Sequence, residues 1–597
     1  MHFSKIKKLS MTCALAASLV CSAALPLTVS ATSATPSTSE APGDPPSGEK
    51  PGEPPSGGGS FGGGANTTTF DYSGTYTGAL IADGTSVDAD QETYTATDSD
   101  QNAALAENGG ILTILGAALE KSGDDSDGDR CNFYGVNAIA LAVNEASTMY
   151  LSDSTLNATS EGSNAIFATD SATVYANNDT ITTSADNSRG LDATYGGTII
   201  ANLMNISTLG NHCASIATDR GGGNISVANS TLSTAGSGSP LLYSTGDIQV
   251  SNVTGTATGS QIAGMEGLNN IFIYNSTLTS KNTATTASDP MANGIILYQS
   301  MSGDAETTTG ETATFEASDS TLSSAIESGS MFYITNTSVN VALRNTILDF
   351  DSSKAALLTI QGNDSNSWGT AGSNGAVSTF TGLDQTLNGD ISVDTISSLD
   401  LYLLENTTYT GATSITENAV NTSATEAPIT VNIDSDSSWI VTGDSTVTNL
   451  NAEEGASIVD ADGKTVSIIV DGSTVVGGDS SYTITVTGSY GTTFTTSDAN
   501  TISGDYISRS DFDSYYGTST SFDTLSASTE ESSSEVTTET STELTSEASA
   551  DTTEVPSTDV SASTETTSSP TPIAITGAVV LVVLIGGGVF IYRKKKK

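Results

Sequence analysis

The chain has 597 residues and a formal net charge of −50, with 68 Asp and Glu against 18 Lys and Arg. So acidic a surface repels polyanions, which argues against nucleic acid as a partner. Aromatic residues make up only 6% and glycines number 58, so a broad globular core is excluded and a narrow one of Val, Ile, Leu and Ala is expected.

Residues 1–31 have the form of a secretory signal peptide: Lys5, Lys7 and Lys8, an apolar run from Leu9 to Leu27, then Val29-Ser30-Ala31 as a small-x-small cleavage site. Residues 32–65 turn to Pro, Gly, Ser and Glu and predict an extended linker. The leader carries Cys13 and Cys21, leaving Cys131 and Cys213. Some three coils of stacked strand separate these two, about 14 Å at the usual strand spacing, beyond disulfide reach of about 7 Å. Two unpaired thiols are therefore expected. His212 beside Cys213 raises a catalytic thiol as an alternative, but adjacent strand residues face opposite ways.

Residues 66–505 predict an all-β domain. Leu112 and Leu119 mark the first regular coil, with the residues before about 105 closing the open end. An insertion from Ser122 to Phe133 holds Asp124, Asp125, Asp127 and Asp129, a possible calcium loop. It departs from the EF-hand pattern, because Arg130 stands where glycine is needed and Val136 occupies the twelfth position. A solvated acidic loop is the plainer expectation; apart from calcium, no cofactor is indicated.

From Met149 to Leu348 the sequence repeats about every 24 residues. One apolar column reads Met149, Val174, Ile199, Ile225, Ile248, Ile271, Phe315 and Val341. A second follows seven residues later: Leu156, Ile181, Ile206, Leu232, Gly255, Leu278, Leu322 and Leu348. A third reads Leu141, Ile166, Leu191, Ile216 and Leu242. Within a unit the alternation has period two, as in Asn224-Ile225-Ser226-Val227, the mark of a strand with one buried face. An odd offset of seven keeps both columns inward only if the chain bends between them. The bend falls at Asp153, Asn178, Leu203, Asn229, Asn252, Asn275, Asp319 and Asn345, mostly residue types that tolerate left-handed backbone angles. The pattern predicts a right-handed parallel β-helix whose corner Asn side chains bond one another from coil to coil.

The 44-residue step from Ile271 to Phe315 predicts one coil with an excursion around Tyr298 to Glu306, which includes Asp304. Beyond 350 the pattern loosens into further coils and a cap, with Trp439 expected to cover the last of them. Residues 506–571, nearly all Ser, Thr, Glu, Ala, Val and Asp from 525 onward, predict a disordered stalk. Residues 573–592 form a mostly apolar run of twenty, enough for one transmembrane helix of about 30 Å. The basic cluster at 593–597 predicts a cytoplasmic end and an extracellular solenoid. The segment Pro572-Ile573-Ala574-Ile575-Thr576-Gly577 lacks sortase spacing, so the helix itself is the expected anchor.

Leader, Ser/Thr/Asn-rich coils, acidic stalk and basic-tailed apolar run together resemble the adhesin-like parallel β-helix surface proteins of Gram-positive bacteria and some archaea. The coils from 105 to 350 are similar to the pectate-lyase-like superfamily, corner asparagines included. That resemblance implies architecture and brings no catalytic motif with it. Asn178, Asn229, Asn252 and Asn275 all fall in Asn-x-Ser/Thr triplets, whose glycosylation would block an inward ladder, so a prokaryotic source fits better.

Two functions compete. A non-enzymatic, membrane-anchored adhesin would present the solenoid to carbohydrate or to a host or neighbouring surface protein. A polysaccharide lyase or glycoside hydrolase would need a base with a cation, or paired carboxylates. Register brings Asp170, Tyr195 and Arg220 onto successive coils, with Arg189, Asp192, Asp219 and Asp247 nearby, and Tyr298 and Asp304 on the excursion. These are the candidate ligand-binding residues; a structural salt-bridge ladder from Arg220 to Asp247 is the plainer alternative. A Thr column at 155, 180, 231, 254, 277 and 321, broken by Asn205, raises ice or mineral binding as a third idea.

Overall fold

The computed structural model describes residues 69–300, 305, 312–364, 368–421, 425 and 427–522. The signal peptide, linker, transmembrane run and basic tail expected from the sequence lie outside the described residues. Among the described residues no helix is long and apolar enough to cross a membrane.

Each coil gives one strand to each of three sheets, here called A, B and C. One coil contains Ala140–Val143, Thr148–Ser152 and Thr155–Ala158; the next contains Ile166–Thr169, Thr173–Asn177 and Thr180–Thr183. The A sheet has 13 strands, the B sheet 15 and the C sheet 10, each in strict coil order. From Thr386 a separate four-stranded sheet follows in the chain, and a second four-stranded sheet, with the antiparallel pair Ser467–Val470 and Ser473–Val476, belongs to the C-terminal end. This is a parallel β-helix.

The first two apolar columns hold throughout. Met149, Val174, Ile199, Ile225, Ile248, Ile271, Phe315 and Val341 are register partners down the B sheet. Leu156 to Leu348 line the C sheet in the same way. The direct pairing of Ile271 with Phe315 makes the 44-residue step a single enlarged coil. In the third column one member is displaced: Ala140, not Leu141, pairs with Ile166, and Leu141 sits beside Phe167 on the outward side. A complete coil also precedes the one expected to be first, because Val87 and Tyr94 pair with Leu112 and Leu119.

All eight corner residues from Asp153 to Asn345 have φ between 42° and 61°. Their side chains do bond between coils: Asn178 Nδ2 donates to Asp153 Oδ1 (2.5 Å), Asn252 to Asn229 (2.6 Å) and Asn345 to Asp319 (2.6 Å). These bonds are exposed, so the ladder runs outside and not inward; a left-handed residue at the corner turns its side chain to solvent. The buried ladder stands one residue later. There Ala117 N donates to Ser154 Oγ, Ser154 N to Asp179 Oδ1, Met204 N to Ser230 Oγ, Val253 N to Ser276 Oγ and Ser276 N to Ser320 Oγ. Each bond satisfies a corner amide that the strand ladders cannot reach, a net gain of about 1 kcal/mol apiece.

Two late residues depart from expectation. Trp439 is not a lid: it is fully buried in the core, in register with Tyr409, and its Nε1 donates to Gly411 O at 2.9 Å. Residues 506–522, expected to begin the stalk, instead belong to a strap lying along the B sheet. The strap meets one outward column: Tyr150, Tyr175, Ile200, Ser226, Gln249, Phe272, Glu316, Ala342 and Thr381, on nine successive coils. Asn500 Nδ2 donates to Thr381 Oγ1 (2.9 Å), Ser503 N to Glu316 Oε2 (2.9 Å), and Gln249 exchanges two bonds with Asp505 O and Ile507 N. Arg509, only 2% exposed, reaches Ser226 O, Ser226 Oγ and Ala201 O, each at 2.8 Å. A short helix, Ser510–Tyr516, then seats Phe512 and stacks Tyr515 on Tyr150 at 3.9 Å between centroids. Its aromatic residues supply the apolar surface that the Ser/Thr/Glu-rich sequence beyond 525 lacks.

Candidate functional site: a groove across the A sheet

The outward side of the A sheet is covered at two places by insertions. The first is the acidic insertion, which forms a short helix, Gly128–Tyr134, with Asp127 as N-cap and Gly135 (φ 69°) ending it in the left-handed region. Residues on and after it pack with Tyr76 over Leu105, Leu141 and Phe167. The second cover comes from the enlarged coil and a later insertion, where Ile296, Tyr333 and Trp368 cluster with Met291 and Tyr298. Between the two lies a cavity of about 350 Å³, whose lining includes Phe133, Arg189, Asp219, Tyr243, Gln261, Asp289, Tyr298 and Trp368.

Three of the residues picked from the sequence, Arg189, Asp219 and Tyr298, line this groove, and a fourth, Asp192, is fully buried against Arg189. Arg189 donates from Nη1 to Asp192 Oδ2 (2.8 Å) and from Nη2 to Asp219 Oδ2 (2.9 Å). Burial works against the Arg189 charge, but Asp192 and Asp219 more than offset it, so its pKa lies above the ordinary value. Burial raises Asp192 to about 6, held down in part by Arg189. Its Oδ1 is buried without a partner. Tyr298, at the end of the A strand Asn293–Tyr298, also lines the cavity, its ring 4.1 Å from that of Trp368. Tyr243 donates to Glu266 Oε2 at 3.0 Å, and Ser300 donates to the other oxygen of that carboxylate.

Asp170, Tyr195 and Arg220 do occupy successive coils, linked by Ser171 N to Tyr195 O and Tyr195 N to Arg220 O. They are corner residues beside the first insertion. Tyr195 stacks on Tyr134 with 5.4 Å between centroids, Asp170 accepts from Asn144, and the Arg220 guanidinium lies 3.6 Å over the Phe133 ring. The expected Arg220–Asp247 ladder is replaced: Asp247 faces outward on the B sheet, accepts from Gln249 Nε2 at 3.2 Å, and lines a different cleft beside the strap. Strand register put them close in sequence space but could not show that the A–B corner separates their faces. Asp304 lies outside the described residues.

The four aspartates of the insertion do separate local work. Asp124 accepts from Glu161 N (3.0 Å), Asp125 hydrogen-bonds Cys131, Asp127 caps the helix and pairs with Arg130 (3.3 Å), and Asp129 lies in the first helical turn. Among the described residues no three His, Cys, Asp or Glu side chains are grouped to hold a metal ion.

Both remaining cysteines are buried and free. Cys213 belongs to a second buried ladder, between the C and A strands: Ser163 N donates to Ser188 Oγ, Ser188 N to Cys213 Sγ, and Cys213 N to Ser239 Oγ. It stands where neighbouring coils have serine, and burial pushes its thiol up to about 11. That is the reverse of what a nucleophile requires.

No family model and no curated protein matches the chain. Among solved structures it is similar to a chain of the cryo-EM structure of the Vag8–C1 inhibitor complex, at 11% identity and a TM-score of 0.34, over 69% of this chain and 98% of that one. So distant a likeness carries no functional argument, and the fold rests on the sheets themselves.

Sequence reasoning missed Tyr243, Gln261, Asp289 and Trp368. The available signal was positional: Asp289 and Trp368 both fall in stretches that interrupt the coil period, one before Pro290 and the other in a Gly- and Ser-rich segment.

Proposed function

We propose that this chain is a surface-displayed β-helix protein that binds carbohydrate in the groove across its A sheet. The reading rests on one observation: the paired aromatic rings of Tyr298 and Trp368 line the same cavity of about 350 Å³ as the polar pair Arg189 and Asp219. Aromatic rings offer flat apolar surface to the faces of sugar rings, and fixed polar groups give orientation. The apolar run at 573–592 with its basic tail would anchor the chain in a membrane, facing the solenoid outward, as in the adhesin-like proteins of Gram-positive bacteria that the sequence resembles.

A glycan array probed with the full-length chain in detergent micelles tests the idea. Binding is expected for the wild type and is expected to fall at least tenfold in Tyr243→Ala. Equal binding by both would remove the groove from the account.

A glycoside hydrolase on the same scaffold is the second reading, favoured by the two carboxylates, Asp219 and Asp289, that line one groove. Release of new reducing ends from a bound glycan would establish it. A lyase is less well supported, since Arg189, the arginine lining the groove, is already committed to two carboxylates.

A further inference from the structure

We propose that the groove selects sugars bearing a free amine, and that Asp289 receives the ammonium group. The inference rests on the carbohydrate reading above and narrows it to one ligand chemistry.

Among the described residues, those lining the groove include one arginine, one histidine and no lysine. Its arginine is neutralised twice over, by Asp192 at 2.8 Å and Asp219 at 2.9 Å, so it has no charge left to receive a uronate. Asp289 lines the same cavity, half-buried, with the Asn293 Nδ2 donor at 2.8 Å as its carboxylate's partner. Asp289 is thus a carboxylate lining the groove whose partner is a neutral amide and not a cation.

Burial pushes Asp289 up to about 6, against a lowering contribution from Asn293. A cation placed beside it would favour the ionised carboxylate and gain a charge-assisted hydrogen bond. Tyr298, whose ring stacks on Trp368 and lines the same cavity, supplies apolar surface for the sugar ring that carries the amine. A neutral acetamido group would leave the Asp289 carboxylate without a cation, and a uronate would place a second carboxylate beside it.

Isothermal titration of the full-length chain in detergent with three tetrasaccharides provides the test: free-amine glucosamine, N-acetylglucosamine and galacturonate. The free-amine tetramer is expected to bind at least tenfold tighter than either of the others, and Asp289→Asn to bring the amine and acetamido forms within threefold. Tighter binding of the acetamido or galacturonate tetramer would overturn the amine preference while leaving carbohydrate binding intact. Retention of the preference in Asp289→Asn would overturn the role of that residue. Failure of all three to bind would bring down both this inference and the carbohydrate reading. The ranking in the wild type stands as a test even where the variant does not fold.

Discussion

The A and C sheets are wound from the same coils, yet their outward sides differ completely. On the C sheet, Thr155, Thr180, Thr231, Thr254 and Thr277 stand exposed in one line, with Asn205 among them. On the A sheet the outward line reads Phe167, Asp192, Ala217 and Tyr243, and the first three are buried under or beside insertions. Coil length is the same for both. The difference lies in where the period is broken: extra residues enter beside the A strands and leave the middle of the C face unvisited. Regularity therefore builds the scaffold, and departures from it build the groove.

That contrast can be broken most sharply at Arg189. Its removal takes the guanidinium from the buried Asp192 carboxylate and from Asp219, so Arg189→Ala is expected to destabilise by about 3–5 kcal/mol. Thr231→Ala on the bare C face should stay within about 0.5 kcal/mol. Urea denaturation of both variants checks the pair; similar losses would show that the A face has no special coupling to the core.

Asp179 gives an effect of comparable size that depends on pH. Burial raises its carboxyl to about 8, against lowering by the Ser154 amide, while Oδ2 has no partner. A folded pKa above the unfolded value favours folding most fully at low pH, below about 3.8, and this advantage is lost as pH rises toward 8. The loss amounts to about 1.4 kcal/mol per pH unit within that window. Other coils place serine here, so Asp179→Ser should flatten the decline of melting temperature between pH 5 and 8. An unchanged slope would mean that Asp179 is ionised in the fold.

The smallest effect is expected at Cys213, where serine is the resident of neighbouring coils. Cys213→Ser should change stability by no more than about 0.5 kcal/mol and leave glycan binding untouched. Loss of function with stability retained would restore the catalytic thiol.

How far the sequence revealed this molecule follows from the same contrast. Inward columns such as Val174, Ile199 and Ile225 were legible because burial imposes a period on them. Corner positions were legible because left-handed angles restrict residue type, and even Leu203 obeys the register at φ 55°. Alternation says only that Asp192 and Tyr243 point outward, not that loops more than a hundred residues apart converge above them. Hence Arg189 and Asp219 were found by register, whereas Trp368 and Asp289 were not. The strap was missed for a related reason: Arg509 and Tyr516 each bind through side-chain bonds to two neighbouring strands, which leave no periodic trace.

The strap also decides where mechanical load would enter. The described chain ends at Phe522, seated against Phe272 and Tyr274 in the body of the solenoid, and not at its last coil. A tether pulling from that point would bear first on the rivets of Phe522 and Arg509, which tie it to coils in mid-barrel. The terminal strands would be shielded from peeling, and the load would be taken crosswise by several rungs together.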